Sequence, residues 1–144
     1  MSTDQVSGRP PIDPDVLAEA TKGFVELIGA EIVEAGPDRA VMLLDVDERH
    51  LQPAGVLHGG VHCTLVETAA SIGAFLWLDG KGGVVGVSNH TNFLRSVTTG
   101  ARLTTTATPI HRGRSQQLWL VEIHDGGGKL IGRGEVRLHN LYAA

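Results

Sequence analysis

The strongest constraint on the fold is one apolar run, residues 61–78, entered through His58-Gly59-Gly60 and closed by Asp79-Gly80-Lys81-Gly82-Gly83. As a helix it would be about 27 Å long. Its content argues against a bilayer span: His62, Glu67 and two threonines would be costly in lipid. The run therefore reads as a buried helix of a soluble protein, ended abruptly by its glycine-rich stop. A helix this apolar cannot stand on a surface. Either a sheet wraps it or a second copy covers it.

What surrounds the helix is mostly strand. Residues 30–35 predict a strand closed by Gly36-Pro37-Asp38, and 40–46 alternate toward an acidic outer end. Residues 49–57 predict a loop containing Pro53 and Gly55. Beyond the helix come four runs at 84–94, 101–110, 118–124 and 130–138, and the last alternates cleanly with Arg133, Glu135 and Arg137 on its outer face. Their connections, Thr98-Thr99-Gly100, Arg112-Gly113-Arg114 and Asp125-Gly126-Gly127-Gly128, have hairpin length. The expectation is an α+β fold: a meander in one antiparallel sheet of five or six strands that buries the long helix on one face. Residues 15–27 predict a short helix weakened by Gly23, and the proline-rich residues 1–14 a flexible arm ahead of a single domain at 15–144.

A chain of 144 residues can bury such a core without disulfides or a structural metal. Its 12 Lys+Arg against 16 Asp+Glu leave no basic footprint for a phosphate backbone, so no nucleic-acid partner is expected. The lone Cys63 excludes an internal disulfide and fits a reducing compartment. The first fifteen residues lack an apolar run and carry aspartates, so neither a secretory signal nor a lipidation site is expected. The expectation is a cytoplasmic protein with no membrane partner.

Two features of the helix point to chemistry. Adjacent glycines at a helix start cost about 1 kcal/mol each relative to alanine, but they allow a ligand to approach the backbone closely. The first-turn N–H groups have no partner within the helix and carry the positive end of its dipole, which suits a developing oxyanion. Glu67 is the second feature, a carboxylate in a nearly uncharged helix with no Lys or Arg within ten residues. Gly60 and Glu67 differ by only about 20° around the helix, and Ser71 shares that side. They stand about 10 Å apart along the axis, however. One carbonyl would meet both most easily if they came from two antiparallel helices, hence from a homodimer with shared sites.

The segment Gln52-Pro53-Ala54-Gly55-Val56-Leu57-His58-Gly59-Gly60, with Glu67 and Ser71 beyond it, resembles the hotdog-fold acyl-CoA thioesterases of the phenylacetic-acid-degradation type. The branch is that of 4-hydroxybenzoyl-CoA thioesterase of the Arthrobacter type and dihydroxynaphthoyl-CoA thioesterase. The likeness continues through Val84-Val85-Gly86, Asn92-Phe93-Leu94-Arg95-Ser96 and Pro109-Ile110-His111-Arg112-Gly113, covering roughly residues 28–140. It implies a sheet wrapped around a central helix, dimers that usually pair into homotetramers, and hydrolysis of an acyl-CoA thioester with an aromatic or medium-chain acyl group. Coenzyme A would be part of the substrate, and no cofactor or metal is implied. By position Glu67 attacks the thioester or activates water, and the Gly60 N–H polarises the carbonyl. His58 and Gln52 position the thioester, and Ser71 assists hydrolysis. Many relatives carry Asp directly after His-Gly-Gly; here Val61 stands there, which indicates the Glu branch. Gly59, Phe93, Arg95, His111, Arg112 and Arg114 are the expected substrate-binding residues, the basic turn 111–114 facing CoA phosphates. Phe93, Trp77 and Val87 are expected near the acyl group.

Other readings carry less. His58, His62, Cys63 and Glu67 have metal-ligand spacing, but His58 precedes the helix and no second cluster supplies further ligands. Cys63 has no identifiable base and reads as core, and Asn89-His90 reads as a strand surface pair. A non-catalytic acyl-CoA binding or sensing module would keep the pocket without needing Glu67. A hydratase would want an Asp/His pair on a different loop pattern.

Overall fold

The computed structural model describes residues 13–144. The arm expected at 1–14 lies outside the described residues except for Asp13 and Pro14. These two start the first helix, α1 (Pro14–Thr21), where the Asp13 carboxylate accepts from the Asp15 N–H at 2.9 Å. The single helix expected at 15–27 is two. Gly23, at φ 83° and ψ −120°, breaks it, and α2 (Phe24–Ile28) follows and ends on Gly29 in the left-handed conformation.

Two strands follow, β1 (Glu31–Ala35) and β2 (Ala40–Asp45), then one turn of 3-10 helix at Glu48–His50. The long helix α3 runs Gly59–Trp77. Four strands complete the chain: β3 (Gly82–Phe93), β4 (Arg102–Arg112), β5 (Gln116–His124) and β6 (Leu130–Tyr142). All pairings are antiparallel in one six-stranded sheet of order β1-β2-β4-β5-β6-β3. The α+β architecture expected from the sequence is thus present, with the sheet curled around α3.

The meander holds only for β4-β5-β6. β3 pairs with β6 at the far edge, Gly86 opposite Leu138, so Thr98-Thr99-Gly100 ends a crossover and not a hairpin. A glycine-containing turn looks alike in both roles, and pairing partners are set by burial across the sheet. β1 and β3 are left as the two edges.

Hydrophobic burial explains the arrangement. Leu65, Val66, Ala69, Ala70 and Ala74 of α3 lie wholly inside, packed among Met42, Leu44, Leu103, Val121, Val136 and Leu138 of the sheet. Gly73 lets the Trp119 ring lie against the helix, since a β-carbon there would fall 2.5 Å from two ring atoms. No described helix is long and apolar enough to cross a membrane.

Candidate active site

The loop before α3 is held by backbone bonds. The Leu57 N–H donates to Val97 O at 2.9 Å and the His58 N–H to His50 O at 2.8 Å. His50 is itself buried, accepting the Asp47 N–H on Nδ1 and bonding Ile28 O through Nε2 at 2.6 Å. This imidazole fixes the loop, a role the sequence did not signal. Gln52 sits in a tight turn, where its side-chain oxygen accepts the Ala54 N–H and its carbonyl the Gly55 N–H.

At the helix start, His58 Nδ1 caps the first turn by accepting the Gly60 N–H at 2.8 Å. In this state the N–H expected to polarise a carbonyl is taken by the imidazole expected to position it. His58 and Gly60 are both exposed, so the bond can be exchanged for a ligand. Gly59 is required by Phe93, whose ring carbons would lie 2.5 and 2.7 Å from a β-carbon at 59. Phe93 also stacks on His62, with ring centroids 5.0 Å apart. His62 is buried, and burial pushes its pKa below the usual histidine value.

Glu67 lies on the side of α3 that the sheet leaves open, in line with Thr64, Ser71 and Phe75. Among the described residues its carboxylate has no hydrogen-bond or ion-pair partner. It rests over Gly86 of β3, where a β-carbon would come within 2.5 Å of Oε1. The β3–β6 register shifts between Gly86 and Ser88, a bulge beside the carboxylate. Glu67 and Ser71 open into a cleft of about 710 Å³ bounded by α1, β1, β3 and α3. A lone carboxylate next to a hydroxyl, facing an apolar space, is suited to attack a carbonyl or to activate a water there.

The structure brings Glu67 and Ser71 together, and His58, Gly59, Gly60 and Phe93 at the helix start. It does not bring these two groups together within one chain. Arg95 follows β3 and lies exposed near the helix start. The turn at 111–114 lies by Trp77, at the opposite end of α3. There Arg112 donates to Asp38 Oδ1 at 2.8 Å and Pro37 O at 2.7 Å, and sits 5.7 Å over the Trp77 ring. Its guanidinium clamps the β1–β2 turn to α3. His111 and Arg114 are exposed, and the Arg114 carbonyl accepts from Tyr142 and Asn140. Within one chain Phe93, Trp77 and Val87 lie outside the lining of this cleft. The wall supplied by α1 went unforeseen, because no sequence signal ties that helix to α3. Cys63 is a half-buried helix residue whose carbonyl accepts from Asn89; Asn89 and His90 are both exposed on β3, as a strand surface pair, and Asn89 also ties that strand to α3. No group of three or more metal-ligating side chains occurs among the described residues.

Comparison with known proteins agrees with this architecture. The thioesterase superfamily matches residues 54–131, a span that runs from the loop before α3 into β6. A Mycobacterium tuberculosis protein named as an esterase is 47% identical over 138 residues, covering 94% of this chain and 98% of its own. Its solved structure superposes with a TM-score of 0.81, covering 84% of this chain and 98% of the other. A 1,4-dihydroxy-2-naphthoyl-CoA hydrolase of Listeria monocytogenes is 43% identical over 109 residues, 76% of this chain and 88% of its own. The crystal structure of AziG from S. sahachiroi, 51% identical, gives a TM-score of 0.81 over 84% of this chain and 98% of that one. The chain belongs to the hotdog-fold thioesterase superfamily.

Proposed function

We propose that the protein hydrolyses an acyl-CoA thioester to the free acid and CoA, with Glu67 as nucleophile or general base. The observation that carries this reading is the Glu67 carboxylate itself, unpartnered among the described residues at the mouth of an apolar cleft. As nucleophile it adds to the thioester carbon and expels the CoA thiolate, and water then cleaves the resulting anhydride. As base it takes the proton of the water that adds instead. Both routes build negative charge on the carbonyl oxygen, which the Gly60 N–H at the helix start stabilises once His58 Nδ1 releases it. His58 and Gln52 then orient the thioester, and the Ser71 hydroxyl assists the hydrolytic water.

The site is assembled from two protomers. About 10 Å of helical rise separates Gly60 from Glu67 in one chain. β3 is a twelve-residue edge strand, and long unpaired edges recruit partners. Pairing β3 with its own copy about a two-fold axis near Asn89 and His90 would set Gly86 beside Phe93. Glu67 of one protomer would then meet the Gly59–Gly60 turn of the other. Dimers would pair further into tetramers, whose neighbouring subunits bring Arg95, His111 and Arg114 to the CoA phosphates. Arg112 contributes there only by giving up Asp38.

Replacing Glu67 with Gln keeps the shape and removes the charge. Turnover of an acyl-CoA should fall about 100-fold or more, the range for losing a base or nucleophile, with CoA-ester binding kept. Turnover near wild type would remove Glu67 from the mechanism. The same assay on the wild-type protein separates an enzyme from a binding module, which would release no thiol.

A further inference from the structure

We infer that the cleft between α1, β1, β3 and α3 receives the acyl group, and that its lining selects an aliphatic chain over a hydroxylated aromatic ring. The inference rests on reading Glu67 as the group that meets the thioester carbonyl. At about 710 Å³ the cleft has the size of a small-molecule site. Val16, Leu17 and Ala20 of α1 form one wall, and Ile32 of β1 with Ile72 and Phe75 of α3 continue it. On α3 the polar lining is confined to Glu67, Thr68 and Ser71, beside the reacting carbon; on α1 it is Glu19 alone. Gly86 adds backbone but no side chain, leaving room next to the carboxylate.

These features fix the occupant. The cleft is continuous with the carboxylate, and its mostly aliphatic lining suits the acyl side of the thioester carbonyl rather than the pantetheine arm, whose two amides would go unpaired there. Beyond Ser71 the one polar side chain of the lining is Glu19, exposed and paired with Lys22 at 3.9 Å, so a phenolic hydroxyl there would leave water for an aliphatic wall. A methylene chain loses nothing there. Each methylene that enters should raise kcat/KM about fourfold. α1 has no fully buried residue, and its inner side, Leu17 and Ala20, is the surface such a chain would cover.

The test measures kcat/KM of the full chain for butanoyl-, octanoyl- and 4-hydroxybenzoyl-CoA, in the wild type and in Ala20→Trp. Octanoyl-CoA should exceed both others by at least about tenfold. The indole should fill the α1 side of the cleft, so the octanoyl-to-butanoyl ratio should fall about fivefold or more. Val16→Trp, at another exposed position on that wall, repeats the test if Ala20→Trp folds poorly. A preference for the hydroxybenzoyl ester, or a ratio unmoved by both variants, overturns the inference. So does a change in oligomeric mass with an unchanged ratio, which would make the cleft an interface between copies. These results leave the Glu67 reading standing, since it fails only if Glu67→Gln keeps its turnover.

Discussion

Glu67 and Gly86 meet with no side chain between them, so the position of the carboxylate depends on the missing β-carbon. A β-carbon at 86 would lie 2.5 Å from Oε1, and the atom that must move is the end of a flexible side chain. Gly86→Ala should therefore displace the carboxylate and spare the fold. Turnover should fall about 10- to 100-fold, as expected for a reacting group misplaced by about 1 Å, while the melting temperature stays close to wild type. A normal kcat in a folded Gly86→Ala protein would mean that the carboxylate need not sit where it does. His62 gives a prediction in pH. Burial disfavours its imidazolium, so its pKa in the fold lies below the ordinary value of 6.5. Below about pH 6.5 the unfolded chain takes up a proton that the folded chain refuses, so stability is lost as pH falls toward the folded pKa. Above that window the residue adds no slope. Thermal melts from pH 5 to 7.5 should show a shallower acid loss in His62→Gln than in wild type, and parallel curves would contradict the assignment.

Among the elements, α3 depends on β5 for its C-terminal end. The Ala74 carbonyl is one of those left open as the helix ends, and buried Gln117 donates to it through Nε2 at 3.1 Å. The same amide donates to Asn140 Oδ1 at 2.9 Å, and its oxygen accepts from Trp119 Nε1 at 2.9 Å. Gln117→Leu keeps the volume and strands those partners. It should lower stability by about 1–3 kcal/mol, the cost of buried unpaired groups, read by urea unfolding. An unchanged midpoint would mean that the network does not support the helix. Sequence patterning made the elements legible: α3 begins and ends within a residue of its signals, and the inward face of β6 follows the alternation. Polar partners inside the core were not legible. Gln117 reads as one more residue of a strand, and only the fold shows that it faces a helix end. The same holds for His50 and for the crossover after β3, because sequence reports local geometry and these depend on contacts far along the chain.

For the whole molecule, two unused surfaces coincide. Glu67 is exposed on the open side of α3, and among the described residues β3 presents an unpaired edge next to it. The proposed second copy on that edge would complete both, and would account for helix start and carboxylate lying in separate groups within one chain. Spacing and resemblance nominated the candidate site's members in the sequence, and the axial rise along α3 alone suggested a site shared between two helices. What no local pattern could give was the α1 wall of the cleft. The most direct measurement mixes two defective chains. Glu67→Gln lacks the carboxylate, and Gly60→Pro lacks the N–H donor at a first-turn position that tolerates proline. Each homodimer alone should be inactive. Co-refolded in equal amounts, about half of the dimers are mixed and each holds one intact site of two, so about a quarter of wild-type activity should return. Mixed dimers that form and remain inactive would contradict a site shared between Glu67 of one protomer and Gly60 of the other.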